Sequence, residues 1–116
     1  MHNKKVTHKR ENRMVRLYRF RDKKAKLSIC DFDDIWLMEN ITTKPCVYCG
    51  AVDKVGCDRI DNSKGHTKDN VVPCCKRCNL IRNQFFTHEG FKQIVHFCQE
   101  NNIEPFSKSL KQLWCG

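Results

Sequence analysis

Two Cys-x-x-Cys pairs, Cys46 with Cys49 and Cys75 with Cys78, constrain the fold of this chain more than any other feature. Such a turn lets two thiolates reach one ion without strain, and the second pair completes a tetrahedral set of soft ligands. Four thiolates leave no position for water, so the pattern predicts a structural zinc rather than a catalytic one. A zinc of this kind contributes on the order of 10 kcal/mol to the folding of a small domain.

The chain has the length and composition of one soluble domain. It has 116 residues, 40% of them hydrophobic and 30% charged, and no apolar run approaches the roughly 20 residues that span a bilayer. The basic start has no apolar segment behind it, so we expect no secretory signal and a cytoplasmic location. Nine cysteines in a reducing compartment fit metal thiolates better than disulfides. Cys30, Cys57 and Cys98 are expected in the core, and Cys74 is the one cysteine that competes as a ligand.

The positive charge is concentrated at one end of the chain. The net charge is +9, and residues 1–27 hold 11 Lys and Arg against two acids, whereas residues 28–116 hold 11 against 11. Residues 1–27 are therefore predicted to form a basic helical arm, and a polyanion partner is favoured over a merely solvated surface. The predicted apolar seam is Met14, Leu17, Tyr18 and Ala25, and the predicted basic stripe is Arg16, Arg19, Lys23 and Lys26.

Two flanking segments have the pattern of scaffolding helices. Residues 28–44 follow a possible short strand at Leu27 and are predicted to form a helix capped by Asp31, with an apolar stripe of Phe32, Ile35 and Trp36. Residues 87–116 are predicted to contain a packing helix capped by Thr87, with a stripe of Phe91, Ile94, Val95 and Cys98. The tail from Pro105 either docks on the domain or meets a partner.

Residues 45–86 have the pattern of a hairpin followed by a helix. VGCDRID alternates like a strand, DNSKGHTKD is a polar loop, NVVPCC is a second strand, and KRCNLIRNQF has the composition of a helix. This order would bring Asp58, at the end of the first strand, near Asn79, in the helix. Both offer the oxygen donors that Mg²⁺ or Mn²⁺ prefers.

This block resembles the HNH, or ββα-metal, endonucleases, in the zinc-containing subgroup common in phages, viruses and homing or other mobile elements. The resemblance rests on the cysteine pairs, on DRIDNSKG, on DNVVPCC and on the CN after the last cysteine, in the expected order. It implies a small α+β domain in which a ββα-metal (His-Me finger) core carries a four-cysteine structural zinc site and flanking helices. The implied function is divalent-metal-dependent hydrolysis of DNA phosphodiester bonds, by nicking or by double-strand cleavage.

The resemblance also assigns roles to individual residues. The three motif positions are Arg59, Asn70 and Asn79. Asp58 and Asn79 would hold a catalytic Mg²⁺ or Mn²⁺, and Asn70 would brace the loop between the strands through bonds to backbone. The hairpin and the helix would lie along the minor groove of DNA, where Lys76 and Arg82 would contact phosphates. A monomer is slightly favoured, no membrane partner is expected, and the compartment would be the host cytoplasm if the source is a phage or virus.

Arg59 departs from the family pattern. The best-understood members have a histidine here that takes a proton from the attacking water, and a guanidinium stays protonated at any working pH. Arg59 is therefore expected to bind the scissile phosphate, while the base is His66, Asp61 or hydroxide on the metal. For His66, packing is favoured over catalysis because relatives commonly have an aromatic residue in this position.

Two other functions stay open on the sequence. The same scaffold serves as a catalytically inactive zinc module that binds nucleic acid. A ribosome-associated zinc ribbon also accounts for the charge, but it leaves the ordered Asp58, Asn70 and Asn79 unexplained.

Overall fold

A computed structural model of the chain describes residues 8–106 as four helices and a two-stranded sheet. The elements in chain order are α1 (Lys9–Lys24), α2 (Asp34–Leu37) with a π-helical turn (Met38–Thr42), β1 (Val55–Arg59), a 3-10 turn (Lys68–Asn70), β2 (Val71–Cys75), α3 (Lys76–Arg82) and α4 (His88–Glu100). This is a small α+β fold. The first residues of the predicted arm and most of the predicted tail, with Cys115, lie outside the described residues.

The predicted strand, loop, strand and helix are confirmed between Val55 and Arg82. The strands pair antiparallel, with Val55 opposite Cys75 and Arg59 opposite Val71. Helix α3 begins directly after β2 because Cys75 caps it, its sulfur accepting a hydrogen bond from the backbone N–H of Cys78. The hairpin and α3 therefore form one continuous unit.

Helix α1 packs on this unit through a face that differs from the predicted seam. Val15, Tyr18 and Asp22 are its buried residues, and their spacing places them on one side of a helix. The predicted seam is wrong at Leu17, which is 43% exposed, and at Ala25, which lies after the last helical turn. Lys26 also lies beyond the helix, with a φ of 59°, so the predicted basic stripe ends before it.

The second helix begins later than predicted. Asp33 caps α2, its carboxylate accepting a hydrogen bond from the N–H of Trp36 at 2.9 Å. The carboxylate of Asp31, the predicted cap, instead accepts from the backbone N–H of Lys68 at 2.8 Å. Ile35 is exposed, and Leu37 and Ile41 supply the buried face. The possible short strand beginning at Leu27 does not form, because residues 27–33 have no regular secondary structure.

Helix α4 follows the prediction closely. The hydroxyl of Thr87 accepts a hydrogen bond from the N–H of Gly90 at 3.0 Å, which caps the helix as expected. Phe91 and Val95 are buried, whereas Ile94 is exposed and Cys98 is half-buried. The buried face of α4 is therefore narrower than the predicted stripe.

The buried side chains form two clusters on either side of the hairpin. One lies beneath α1 and α2 and contains Val15, Tyr18, Cys30, Phe32, Leu37, Ile41, Val55, Cys57 and Val71. The other surrounds the cysteine pairs and α4 and contains Cys46, Tyr48, Cys74, Cys75, Cys78, Phe91 and Val95. Cys30 and Cys57 are core residues, as predicted. Among the described residues, no helix has the length and apolar character needed to cross a lipid bilayer.

Candidate functional site

The four paired cysteines form a compact cluster of sulfur atoms. The Sγ atoms of Cys46, Cys49, Cys75 and Cys78 all lie within 4.8 Å of one another, and those of Cys49 and Cys75 are 3.6 Å apart. A tetrahedral zinc with bonds of about 2.3 Å has its sulfurs about 3.8 Å apart. The donor set and its size therefore fit a metal such as zinc.

Local backbone hydrogen bonds build the first half of this cluster. The N–H of Gly50 donates to the carbonyl of Cys46 at 2.9 Å, and the N–H of Cys46 donates to Ala51 at 2.8 Å. Gly50 has a φ of +82°, a conformation that glycine adopts without steric cost. Hydrogen bonds from the neighbouring thiols, that of Cys49 foremost, lower the pKa of Cys46. Hydrogen bonds with Cys46 raise the pKa of Cys75 and Cys78, so a bound metal would have to displace the protons of those two thiols.

Cys74 lies beside the cluster but outside it. Its thiol donates to the backbone carbonyl of Cys75 at 3.3 Å, and it does not belong to the group of four that share one centre. The structure thus separates the predicted ligands from the one cysteine that could have competed with them.

Tyr48 connects the cysteine cluster to the hairpin, a role that the sequence did not predict. Its hydroxyl donates to Oδ2 of Asp58 and lies 2.8 Å from Nδ1 of His88. Its ring packs edge-on against Phe91, with centroids 4.9 Å apart. Burial raises the pKa of Tyr48, which keeps the hydroxyl protonated as a donor. The sequence feature that could have predicted this role is the presence of a tyrosine between Cys46 and Cys49.

Arg82 is buried, and the predicted contact with DNA phosphate is wrong for this residue. Its side chain is 1% exposed and donates from Nη1 to Oδ1 of Asp58 at 2.6 Å and to the carbonyl of Arg59 at 2.9 Å. Nη2 donates to the carbonyl of Ile60 at 3.3 Å. The guanidinium at the end of α3 thus holds the last residues of β1 and cannot face a ligand.

A cleft of about 910 Å³ lies between α1 and the hairpin-helix unit. Five residues that the sequence predicted for the site line it together, namely Asp58, Arg59, His66, Lys76 and Asn79. Five basic side chains line it in all, namely Arg10, Arg21, Lys54, Arg59 and Lys76, against two acids, Asp22 and Asp58. Both acids are buried, so positive charge dominates the surface that a ligand would meet.

None of the four residues of the predicted basic stripe lines this cleft. Arg16 lines a separate, shallower depression with His8 and Asp34, and Arg19 donates to the carbonyl of Phe32 at 3.1 Å. Lys23 is exposed outside the cleft lining. The basic residues of α1 that line the cleft are instead Arg10 and Arg21.

Asn70 braces the loop between the strands, as predicted. Its Nδ2 donates to the carbonyls of Asp61 at 3.0 Å and Gly65 at 2.9 Å, and its Oδ1 accepts from the N–H of Asp61 at 2.9 Å. The side chain is buried beneath the loop and does not line the cleft. Its position fits support of the site rather than contact with a ligand.

Arg59 and Asp61 lie at the start of this loop and differ in their access to the cleft. Nη1 of Arg59 donates to the carbonyls of Asn62 at 3.2 Å and Lys64 at 3.0 Å, and the side chain lines the cleft. Oδ1 of Asp61 accepts from the hydroxyl and the N–H of Ser63. These bonds lower the pKa of Asp61, and the residue lies outside the cleft lining. Asp61 is therefore poorly placed as a base.

His66 is held against α1 at the edge of the cleft. Its ring stacks on Tyr18 with centroids 4.2 Å apart, which agrees with the predicted packing role. Nδ1 lies 2.8 Å from Oδ1 of Asp22, and the backbone N–H donates to Oδ2 of the same carboxylate at 2.9 Å. Burial lowers the pKa of His66, and the hydrogen bond to Asp22 opposes that effect. Asp22 was missed by the sequence prediction.

Two residues that the sequence predicted as cation ligands line the cleft. Asp58 and Asn79 both line it, and Asn79 is exposed on α3. Each oxygen of Asp58 accepts one hydrogen bond from the protein, and a carboxylate oxygen has two lone pairs. Asp58 is 4% exposed, and Arg82 offsets the charge of its carboxylate.

Comparison with known proteins gives no match: no family model, no curated protein and no solved structure corresponds to this chain.

Proposed function

We propose that the protein is a divalent-metal-dependent DNA endonuclease of the HNH (ββα-metal) type, which hydrolyses phosphodiester bonds. The observation that carries this proposal is the shared cleft. Asp58, Arg59 and Asn79 come from a strand end and a helix, and all three line one basic cavity. The family resemblance assigns Asp58 and Asn79 to the metal ion and Arg59 to the scissile phosphate, so the three residues that line the cavity are those that the proposed reaction needs.

The local architecture supports the same proposal. An antiparallel hairpin runs directly into a helix, and the sulfur cluster lies at the base of this unit. Tyr48 connects the cluster to Asp58, so a bound zinc would fix the position of the carboxylate through one intervening side chain. These contacts support the proposal of a ββα-metal core with a four-cysteine zinc.

The charge of the cleft supports a polyanionic substrate. Arg21, Lys54 and Lys76 line it beside Arg59, and lysine and arginine side chains are the usual partners of nucleic-acid phosphates. These basic residues, rather than the buried Arg82, would therefore bind the phosphates. Arg10 lines the same cleft, and its Nη2 donates to the carbonyl of Val55 at 3.0 Å.

In the proposed reaction each residue has a limited task. A divalent ion, when bound, would neutralise charge on the scissile phosphate and on the departing 3′ oxygen. Asp58 and Asn79 would hold that ion from one side, leaving its other positions to water and phosphate. Arg59, anchored to the loop through Nη1, would direct its remaining N–H groups to a phosphate oxygen.

The pairing of Asp58 with Arg82 predicts how the ion binds. Because the arginine offsets the charge of the carboxylate, the protein alone should hold Mg²⁺ or Mn²⁺ weakly. DNA phosphates would supply the missing negative charge. We therefore expect the ion and the DNA to bind more tightly together than either binds alone.

Asn79 is the residue at which the proposal is tested most cleanly, because it is exposed and its removal leaves no buried charge. Asn79→Ala should slow Mg²⁺- or Mn²⁺-dependent nicking of supercoiled plasmid by at least about tenfold, with unchanged thermal unfolding. Asn12→Ala is the matched control, since Asn12 is an exposed asparagine on the far side of α1. Equal nicking by both variants would remove Asn79 from the metal site.

The second candidate is a zinc module that binds DNA without cutting it. Two observations favour it: Arg59 stands where a base is expected, and the carboxylate of Asp58 is already paired. DNA binding that persists while no divalent ion supports nicking would establish this alternative.

A further inference from the structure

The proposed nuclease lacks a proton acceptor at residue 59, so the proton of the attacking water needs another destination. We propose that Nε2 of His66, oriented by the carboxylate of Asp22, is the general base of this site. The inference rests on the proposed endonuclease function, and it assigns the step that Arg59 cannot perform.

The geometry selects one ring nitrogen of His66. Nδ1 is occupied by Asp22 at 2.8 Å, and because a carboxylate accepts the bond, Nδ1 carries the proton. Nε2 then has a free lone pair. Among the described residues, Nε of Arg82 is the sole side-chain nitrogen or oxygen that is both buried and without a hydrogen-bond partner. Nε2 of His66 has no partner either and does not belong to that group, so this atom is in contact with solvent. His66 also lines the cleft.

The ring is fixed before any substrate arrives. Tyr18 and Asp22 lie one turn apart on α1 and contact His66 together, Tyr18 by stacking at an interplanar angle of 14° and Asp22 by two hydrogen bonds. The preceding Gly65 lies so close to the segment that follows α1 that a Cβ there would be 1.6 Å from the carbonyl oxygen of Ser28. Nδ2 of Asn70 donates a hydrogen bond to the carbonyl of Gly65 at 2.9 Å. Because these contacts already orient the His66 ring, little conformational entropy is lost when the ring accepts a proton from the attacking water.

Burial of the His66 ring favours its neutral form. Burial lowers the pKa of His66, the positive charges of Arg59 and Arg21 act in the same direction, and Asp22 opposes them. A neutral imidazole near neutral pH is the form that accepts a proton.

The proposed step is balanced within the site. A water oxygen forms a bond to phosphorus while one of its protons moves to Nε2. The bond between phosphorus and the 3′ oxygen breaks, and its electron pair leaves with that oxygen, which takes a proton from solvent. The imidazolium then returns its proton to solvent. The products are a 5′-phosphate and a 3′-hydroxyl.

The first test is structural and needs no nuclease activity. Nitrogen NMR of the zinc-loaded protein, with no other divalent ion, should show His66 as the Nδ1–H tautomer. Asp22→Asn should convert it to the Nε2–H tautomer, because the amide oxygen accepts from the backbone N–H and its NH₂ group then faces Nδ1. An Nε2–H tautomer in the wild type would overturn the proposal.

The second test is kinetic. His66→Gln should lower the nicking rate about 100-fold or more and remove the acid limb of the pH-rate profile, and added imidazole should restore activity to His66→Ala. Asp22→Asn should lose most of the rate with DNA affinity retained. His96→Gln is the matched control, since His96 is half-buried on α4 and contacts the carbonyl of Val47.

The outcomes separate the two proposals. A wild-type protein that binds but never nicks DNA overturns the endonuclease function, and the role of His66 as base falls with it. A wild-type protein that nicks, with His66→Gln matching its rate and pH profile, overturns the assignment of His66 alone. Thermal unfolding and zinc content of each variant exclude loss of the fold as the cause.

Discussion

Nη1 of Arg82 lies 2.6 Å from Oδ1 of Asp58, and both side chains are almost completely removed from solvent. The pair joins the end of α3 to the end of β1, and the hydroxyl of Tyr48 engages the other carboxylate oxygen. Asp58 is thus a structural residue at the same position where the proposed mechanism needs a metal ligand. Substitutions at this residue report on both roles at once.

Asp58→Ala should lower the free energy of unfolding by about 3–5 kcal/mol, because it leaves the buried guanidinium of Arg82 without its charged partner. Chemical denaturation of the zinc-loaded protein measures this loss. Asp53→Ala, at an exposed position, should leave the free energy of unfolding nearly unchanged. A loss below about 1 kcal/mol for Asp58→Ala would show that the buried pair contributes little.

Removal of zinc should unfold the domain. Cys78→Ser, at the most deeply buried of the four ligands, should abolish stoichiometric zinc and the cooperative unfolding transition, since a structural zinc supplies on the order of 10 kcal/mol. Cys74→Ala should retain one zinc per chain, because Cys74 lies outside the cluster. Zinc content and circular dichroism measure both effects. Loss of zinc in Cys74→Ala would mean that the ligand set is wrong.

Stability should fall as the solution becomes acidic, in part because of His66. Its pKa is lowered from 6.5 in the folded protein, so below about pH 6.5 the unfolded chain binds a proton that the folded chain resists. The free energy of unfolding therefore decreases from pH 6.5 down to the folded pKa. His66→Gln should show a weaker decrease between pH 7.5 and 5.5 in denaturant titrations. Identical slopes for both proteins would contradict the burial of a neutral imidazole.

Affinity for DNA should depend on which side of α1 carries the charge. Arg21→Gln should weaken binding and reduce the slope of log K against log salt by about 0.9, the value for one lost phosphate contact. Arg16→Gln changes the same charge on the same helix, but its side chain lines the separate depression, so binding should change little. Fluorescence anisotropy across a salt series measures both. The reverse order would place the DNA on the other face.

Local patterns predicted the hairpin, α3, α4 and the sulfur cluster well. The cysteine spacing, the alternation of VGCDR and the cap at Thr87 each depend on residues close in sequence. The start of α2 was wrong by a few residues because three acids, Asp31, Asp33 and Asp34, offered competing caps. Asp33 caps the helix, whereas the carboxylate of Asp31 accepts a hydrogen bond from the backbone N–H of Lys68, a distant partner that no local pattern shows.

The errors at the site have the same origin. Arg82 appears in the sequence as one more basic residue after a cysteine, and only the fold brings it to Asp58, 24 positions away. Asp22 appears as an isolated acid in a basic arm, and its partner His66 is 44 positions along the chain. Tertiary packing determines which charged residues of distant segments become buried partners. The sequence therefore shows which charged residues are present but does not show which of them pair.

Nicking of supercoiled plasmid by the purified, zinc-loaded wild-type protein decides whether the protein is a nuclease. Open circles should form with Mg²⁺ or Mn²⁺ and should not form in the presence of a chelator mild enough to leave the zinc in place. DNA ligase should reseal these circles, because the ends are 5′-phosphate and 3′-hydroxyl. Plasmid that stays supercoiled under every divalent ion, while the protein binds it, would contradict the proposed nuclease activity.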